Sequence, residues 1–409
     1  MTTAALPRTP DDSTRTIRNA IHLLSAASFV SGGSLRVTDS MLPKLAMDFQ
    51  ISLGAASYAV TAFAVTYGLA QLLFGPLGDR FGKYLMIAIG CAAGVVSTLL
   101  CALAPTFDML LVARLLAGTT AAAVIPLALA WIGDVIPYEE RQPIMARYLV
   151  GQILGLSSGV MLGGMAADYF GWRMPFIVIT VLYAIIAVML FAINRRLPGH
   201  TRQTKRSEGP VIPQMVSEFR HVLSKRWSLV VLSTVFLEAV FLFGAFAFIA
   251  SHLHRTFGLS LSLSGSMVML FGLGGLSFAI FSNKLVPFFG EIGLVRWGGS
   301  IAFASLVMVG LAPSWVWTIP ACFMTGLGFY MLHNTLQINA TQMAPERRGA
   351  AVSSFAFCFF LGQAAGVAAA AWLIALSDTG TVIAFYGLGL LIVAWNFSVR
   401  KVKRMAAEG

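Results

Sequence analysis

Charge is what this sequence has least of. Only 11% of its 409 residues are Asp, Glu, Lys or Arg, against 57% hydrophobic residues and a mean hydropathy of +0.80. Soluble domains carry roughly 25% charged residues, so water is excluded as the main solvent. Cysteine is scarce as well. Cys91, Cys101, Cys322 and Cys358 are scattered through apolar runs, which argues for inert packing rather than a metal or redox site. There is no Walker motif, and the glycines of "GLGGLSFAI" (Gly272 to Ile280) lie inside an apolar run rather than after a strand, so the nucleotide fingerprints are missing. Nothing here makes an enzyme, and no cofactor is expected.

What the chain has in place of charge is length of apolar run. Twelve runs near 20 residues recur, at about 19–41, 53–75, 84–104, 109–133, 144–167, 174–193, 228–250, 265–283, 293–312, 315–338, 349–374 and 380–399. Each can cross a hydrocarbon layer of about 30 Å. Backbone groups cannot stay unpaired in hydrocarbon, which leaves helices or closed barrels, and continuous rather than alternating runs mean helices. The polar stretch from Met1 to Arg18 has no apolar segment of its own, so no cleavable signal is expected and the first run reads as a true span.

The net charge of +11 would suit nucleic acid, but its placement argues otherwise. With the N-terminus in the cytoplasm, only Lys44, Arg173 and Arg255 fall outside, and Arg36 and Arg114 lie within spans. The other 23 of the 28 Lys and Arg then lie on the cytoplasmic side, counting Arg147 and Arg296 at the inner ends of their spans. That positive-inside bias predicts an inner-membrane, multi-pass protein with both termini cytoplasmic and no nucleic-acid partner.

One long polar interruption, residues 194–227, divides the spans six and six. The expected organisation is a six-helix bundle over 1–193, a cytoplasmic linker over 194–227 and a second bundle over 228–409. Eight Lys and Arg in the linker suit anionic headgroups, and a solvated connector with a short interfacial helix after Pro213 is the alternative. The halves also resemble each other: Arg114–Gly159 overlays Cys322–Gly366, so that Gly118 meets Gly326 and Pro137 meets Pro345. Internal duplication is how transporters place one site at a repeat interface near the midplane. The fold class expected is therefore an all-α membrane protein, with twelve transmembrane helices in two pseudo-symmetric six-helix bundles.

"GPLGDRFGKY" (Gly75 to Tyr84), between the second and third spans, resembles the signature loop of the major facilitator superfamily, Gly-x-Leu-small-Asp-Arg-x-Gly-basic-basic, with only Tyr84 departing. Three more stretches are similar to its twelve-span drug and metabolite efflux branch, which includes arabinose-efflux-like permeases. They are "TDSMLPKLAMDF" (Thr38 to Phe49), "LVARLLAGTTAA" (Leu111 to Ala122) and "GQILGLSSGVMLGG" (Gly151 to Gly164). In the last, which is similar to an antiporter motif, Val160 replaces the proline and Ala146 an upstream glycine. The second-half counterpart of the loop, "SNKLVPFFGE" (Ser282 to Glu291), has decayed: Pro287 stands in place of Asp79, and of the glycines only Gly290 survives.

Charges inside a membrane are expensive, so Arg36, Asp39, Arg114 and Glu238 are the first candidates for a cavity or proton path. Arg36 and Asp39 are i and i+3 and within reach of each other. They form either a static pair or one in which protonation of Asp39 frees the arginine. Arg114 keeps its charge at any ordinary pH, as a counter-charge for Asp39, a ligand for an anionic substrate, or a structural group. Glu238 is a second proton carrier, a substrate contact, or a neutral acid bonded to a neighbouring helix. On the tenth span His333 and Gln337 share a face, with Asn334 beside them, as polar substrate contacts or interhelical bonds. Gln71, Gln152 and Gln363 are further cavity candidates. Gly155, Gly159, Gly163 and Gly164 allow close helix packing; in antiporter-like relatives such a seam is a hinge.

The loop itself reads as a cytoplasmic latch. Gly75 and Gly78 permit close approach of the second span, and Gly82 the reversal into the third. Asp79 is available to cap a helix N-terminus. The resemblance nominates the eleventh span, beginning near "PERRGAA", where Arg347 and Arg348 would add to the pull. Lys83 and Arg80 are in reach of Asp134. These contacts are expected only when the cytoplasmic side is closed. The resulting expectation is a monomeric secondary transporter in the lipid bilayer, exporting a small organic molecule (a drug-like compound, a sugar or another metabolite) in exchange for protons by alternating access. Proton-coupled import, carriage of an organic anion on Arg114 and Arg36, and a non-transporting receptor or scaffold are the rival readings.

Overall fold

A computed structural model gives the conformation of residues 10–202 and 211–408; residues 203–210 of the linker lie outside the described residues. Within the described residues every regular element is helical. The α-helices are α1 (Pro10–Arg36), α2 (Leu42–Asp48), α3 (Leu53–Ala56), α4 (Tyr58–Phe81), α5 (Lys83–Leu103), α6 (Phe107–Ala121), α7 (Val124–Val135) and α8 (Tyr138–Tyr169). They continue with α9 (Met174–Arg196), α10 (Val211–Leu223), α11 (Arg226–Phe257), α12 (Leu261–Leu311), α13 (Thr318–Gln342), α14 (Arg348–Leu376) and α15 (Thr379–Glu408).

Among the described residues ten helices are long and apolar enough to cross a membrane, with α3–α4 and α6–α7 each counted as one. Two of the expected spans differ from this count for physical reasons. α1 starts at Pro10 and carries a serine every third residue, at 25, 28, 31 and 34, which dilutes its hydropathy. That stripe faces protein: Ser28 is hydrogen-bonded to Tyr148, and Ser31 donates to the Ala121 carbonyl at 3.2 Å. α12 has 51 residues, where the sequence suggests two spans and a loop. At 1.5 Å per residue a straight helix of that length is about 76 Å, more than twice the hydrocarbon thickness. Gly290, at φ 62°, breaks it into two arms without a loop, a conformation that a Cβ would penalise.

Packing follows chain order. α1 to α9 pack against one another, α11 to α15 do the same, and the two groups meet along α8 against α12 and α4 against α14. The Gly82 and Gly290 turns and α10 lie at one end, called here the linker face. α10 docks on α14 and α11, with Val222 fully buried and His221 and Lys225 both on Glu346. The linker helix thus includes Pro213 rather than following it, and is held by the second group of helices.

Candidate functional site

The helical hydrogen bonding of α1 gives way after Arg36, before Pro43 opens α2, and the intervening residues form a short 3-10 turn, Asp39–Met41. The sequence suggests one continuous helix to residue 41; the turn replaces its last residues, because Pro43 has no N–H to continue the ladder. The Arg36–Asp39 pair survives the change at 3.3 Å, with side chains only 5% and 1% exposed. Arg36 also reaches out of its own half. Its second amino group donates to Gln363 Oε1 on α14 at 3.2 Å, and its guanidinium lies 4.0 Å above the Phe243 ring of α11. Asp39 Oδ1 and Gln363 Nε2 are buried with no hydrogen-bond partner in the protein.

Glu238, fully buried on α11, accepts a bond at 2.9 Å from His333 Nδ1 of α13 when that nitrogen carries the proton. The imidazole stacks on Phe329 and stands 4.8 Å from the Phe359 ring, which in turn is 5.3 Å from Phe243. Aromatic side chains thus connect the Arg36–Asp39 pair to the Glu238–His333 pair. His333 is engaged by Glu238, while Gln337 is exposed and Asn334 half-buried, and neither joins the pair. Of the three cavity glutamines, only Gln363 reaches the charges. Gln71 is buried on α4, and Gln152 on α8 has its Oε1 unpartnered.

Arg114 is differently placed. Nε donates to the Ala59 carbonyl at 3.0 Å, Nη1 to the Ser34 carbonyl at 3.0 Å and Nη2 to the Thr38 hydroxyl at 3.4 Å, with Phe63 4.3 Å beneath. Three donors are committed to α1, α4 and the turn after α1, and none reaches Asp39. The geometry is that of a clamp inside the first group of helices.

Part of the expected latch is assembled. Gly82, at φ 95°, makes the reversal, and Lys83 bridges Asp79 and Asp134 at 2.7 Å each. Gly78 packs on Leu127 of α7, while a Cβ at Gly75 would meet nothing within 4 Å. Arg80 lies over Phe81 rather than on Asp134. The start of α14 is not brought to Asp79: Arg347 pairs with Glu218 of α10 at 3.2 Å, and Arg348 is exposed. The Lys83 bridge therefore forms inside one half without the eleventh span, whereas the sequence suggests that these contacts arise together.

Among the hinge glycines, a Cβ at Gly155, Gly159 or Gly163 would strike the backbone of α1 at Phe29 or Gly33, or Val37 just beyond its end. These three pack within one half. Gly164 alone faces the other half, at the Leu261 carbonyl, and its counterparts across the seam are Gly265 against Val160 and Gly272 against Ser157.

Two clusters escaped the sequence. Asp168, at the last turn of α8, accepts bonds from the backbone of Leu261 and Ser262. Glu291, directly after Gly290, accepts from Asn339 of α13 at 2.5 Å and pairs with Lys401 of α15 at 3.0 Å. Glu291 holds the place that Lys83 holds after Gly82, so the second loop keeps its turn and its ionic tie with the sign reversed. The alignment of Gly290 with Gly82 already puts Glu291 on Lys83, but the reversed sign hid the tie.

The sequence model of the Major Facilitator Superfamily matches residues 24–367. The chain is 26% identical over 362 residues to the uncharacterized MFS-type transporter YceJ of Bacillus subtilis (strain 168), covering 87% of this chain and 89% of that one. It is 22% identical over 390 residues to a probable sugar efflux transporter of Pasteurella multocida (strain Pm70), covering 93% and 94%. Among solved structures, a POT family transporter in complex with 5-aminolevulinic acid superposes with a TM-score of 0.75 at 14% identity, over 94% of this chain and 96% of that one.

Proposed function

The chain belongs to the major facilitator superfamily of membrane transporters, and from that premise we propose that it exports a small organic compound in exchange for protons, with Asp39 as the principal proton carrier. The observation that carries this reading is the placement of one buried ion pair at the junction of two halves. Arg36 and Asp39 belong to the first, and Gln363, Phe243 and Phe246 of the second surround the guanidinium. Protonating Asp39 removes the negative partner of Arg36 and weakens a contact set that spans both halves. Proton binding and relative motion of the halves are thereby linked through one side chain. Glu238, bonded to His333, is the second carrier in this scheme.

The twelve-pass topology belongs to the same proposal: α1 and the two arms of α12 complete the count, and the linker face is cytoplasmic. The walls of the site favour a planar apolar substrate over a polyol. Phe243, Phe246, Phe329 and Phe359 stand ring against ring between the two acidic pairs. Carriage of an anion on Arg114 is disfavoured, because three of its N–H donors already go to protein oxygens. Reconstitution in liposomes with an imposed pH gradient, against a panel of aromatic compounds, organic anions and sugars preselected by thermal shift, tests the proposal. Gradient-driven movement of a panel member with counter-flow of protons supports it; movement that ignores the gradient removes proton exchange.

A further inference from the structure

At the face opposite the linker the chain carries the cations Lys44, Arg173 and Arg255, and two of them are committed. Lys44 pairs with Asp48 at 2.9 Å, and Arg173 donates to the Ala104 carbonyl at 3.0 Å with its guanidinium 4.2 Å above the Trp172 ring. Arg255, in the last turn of α11, is exposed and has no hydrogen-bond, ion-pair or ring partner among the described residues. A cation suits the carbonyl end of a helix, which accounts for the charge but not for its surroundings.

Those surroundings are a cleft of about 530 Å³ with walls from both halves. Ser52, Leu53 and Tyr58 come from the first, and Arg255, Trp372 and Ile374 from the second. Gly54 comes so near α14 within it that a Cβ there would stand 3.2 Å from the Ala371 carbonyl. Tyr58 and Trp372 are 49% and 65% exposed. Both stand at the ends of membrane helices, where aromatic rings with one polar edge settle between hydrocarbon and water. From the cleft toward the linker face, exposed apolar residues follow at helical spacing on both helices. They are Ala369, Ala365 and Leu361 beyond Trp372 on α14, and Leu69 and Leu73 beyond Tyr58 on α4. Since α4 and α14 pack against each other, these stripes border one seam that faces hydrocarbon. An unspent guanidinium at the top of an apolar track fits a ligand with an anionic head and a long apolar body, and the guanidinium fork matches a phosphate.

We propose that Arg255 and this cleft hold the phosphate of an anionic bilayer phospholipid, with one of its chains along the α4–α14 seam. An ammonium headgroup fits less well. Asp48 is tied to Lys44, and Asp378 accepts from the N–H and hydroxyl of Thr381, so neither acid is left to receive it. The site requires only that the chain spans a membrane, and it stands apart from proton exchange. Phospholipids with brominated chains, which quench tryptophan on contact, test it in the full chain in detergent. The difference in quenching between the parent protein and Trp372→Phe isolates the cleft. Phosphatidylglycerol should quench Trp372 at about tenfold lower lipid fraction than phosphatidylcholine, the scale of one charge-assisted hydrogen bond. Arg255→Gln, a change at an exposed and unpartnered side chain, should abolish that preference. Ala375→Phe, which fills the cleft and keeps the charge, should weaken quenching by both lipids. Equal quenching of Trp372 by the two lipids in the parent, or a preference that survives Arg255→Gln, would overturn the assignment. Unchanged quenching in Ala375→Phe would overturn the cleft as its place. Displacement of the brominated lipid by inorganic phosphate would make this a site for a soluble anion and would overturn the lipid.

Discussion

Arg36 on α1 and Gln363 on α14 meet at 3.2 Å, a side-chain hydrogen bond that joins the two halves at the level of the buried charges. Hydrogen bonds to charged groups contribute about 1.5–3 kcal/mol. Gln363→Leu should therefore reduce the maximal transport rate by roughly tenfold or more, since the contact that links Asp39 to the second half is gone. Initial-rate measurements in liposomes check this, with thermal stability as the control for folding.

Arg114 should behave as a structural residue. Arg114→Lys keeps the charge but cannot supply the forked donors to Ser34 and Ala59, and unsatisfied buried acceptors cost about 1–3 kcal/mol each. The expected outcome is a lower unfolding temperature and lower yield. Apparent substrate affinity should be unchanged in the fraction that folds. A selective loss of affinity for an anionic compound would instead make Arg114 a ligand.

Gly155 sits against the Phe29 backbone, with no flexible side chain to move aside. Gly155→Ala should destabilise the first half by about 1–3 kcal/mol through overpacking. It should leave the balance between open and closed faces where it was, because both partners belong to one half. Thermal unfolding, read beside the distance between spin labels placed at the exposed Tyr58 and Trp372 on the face away from the linker, separates these effects.

The Glu291–Lys401 tie should tolerate exchange of its charges. Glu291→Lys alone places like charges together and should slow transport severalfold, the pair being partly exposed and worth about 1 kcal/mol. Glu291→Lys combined with Lys401→Glu should recover most of the rate, and a double variant as slow as the single one would argue against the tie.

Most of the long apolar helices and the Gly82 turn were legible in the sequence because each leaves a local mark: run length, and a glycine where φ must be positive. The charge pair Arg36–Asp39 was legible for the same reason, being i and i+3. What stayed hidden were partners that are backbone or distant in the chain. Arg114 is held by the carbonyls of Ser34 and Ala59, and Asp168 by the amides of Leu261 and Ser262; every residue has such groups, so no residue type announces them. Glu238 and His333 were each visible, but their pairing across α11 and α13 needed the packing. The break at Gly290 was hidden because an apolar run on both sides looks like two spans and a loop.

The most direct measurement compares Asp39→Asn with the parent protein in liposomes, following substrate and internal pH together. If Asp39 carries the proton, the variant should lose gradient-driven transport by at least about tenfold, together with the accompanying proton flux. Substrate-for-substrate exchange, which needs no net proton movement, should persist. Full gradient-driven transport with normal proton flux in Asp39→Asn would contradict the assignment.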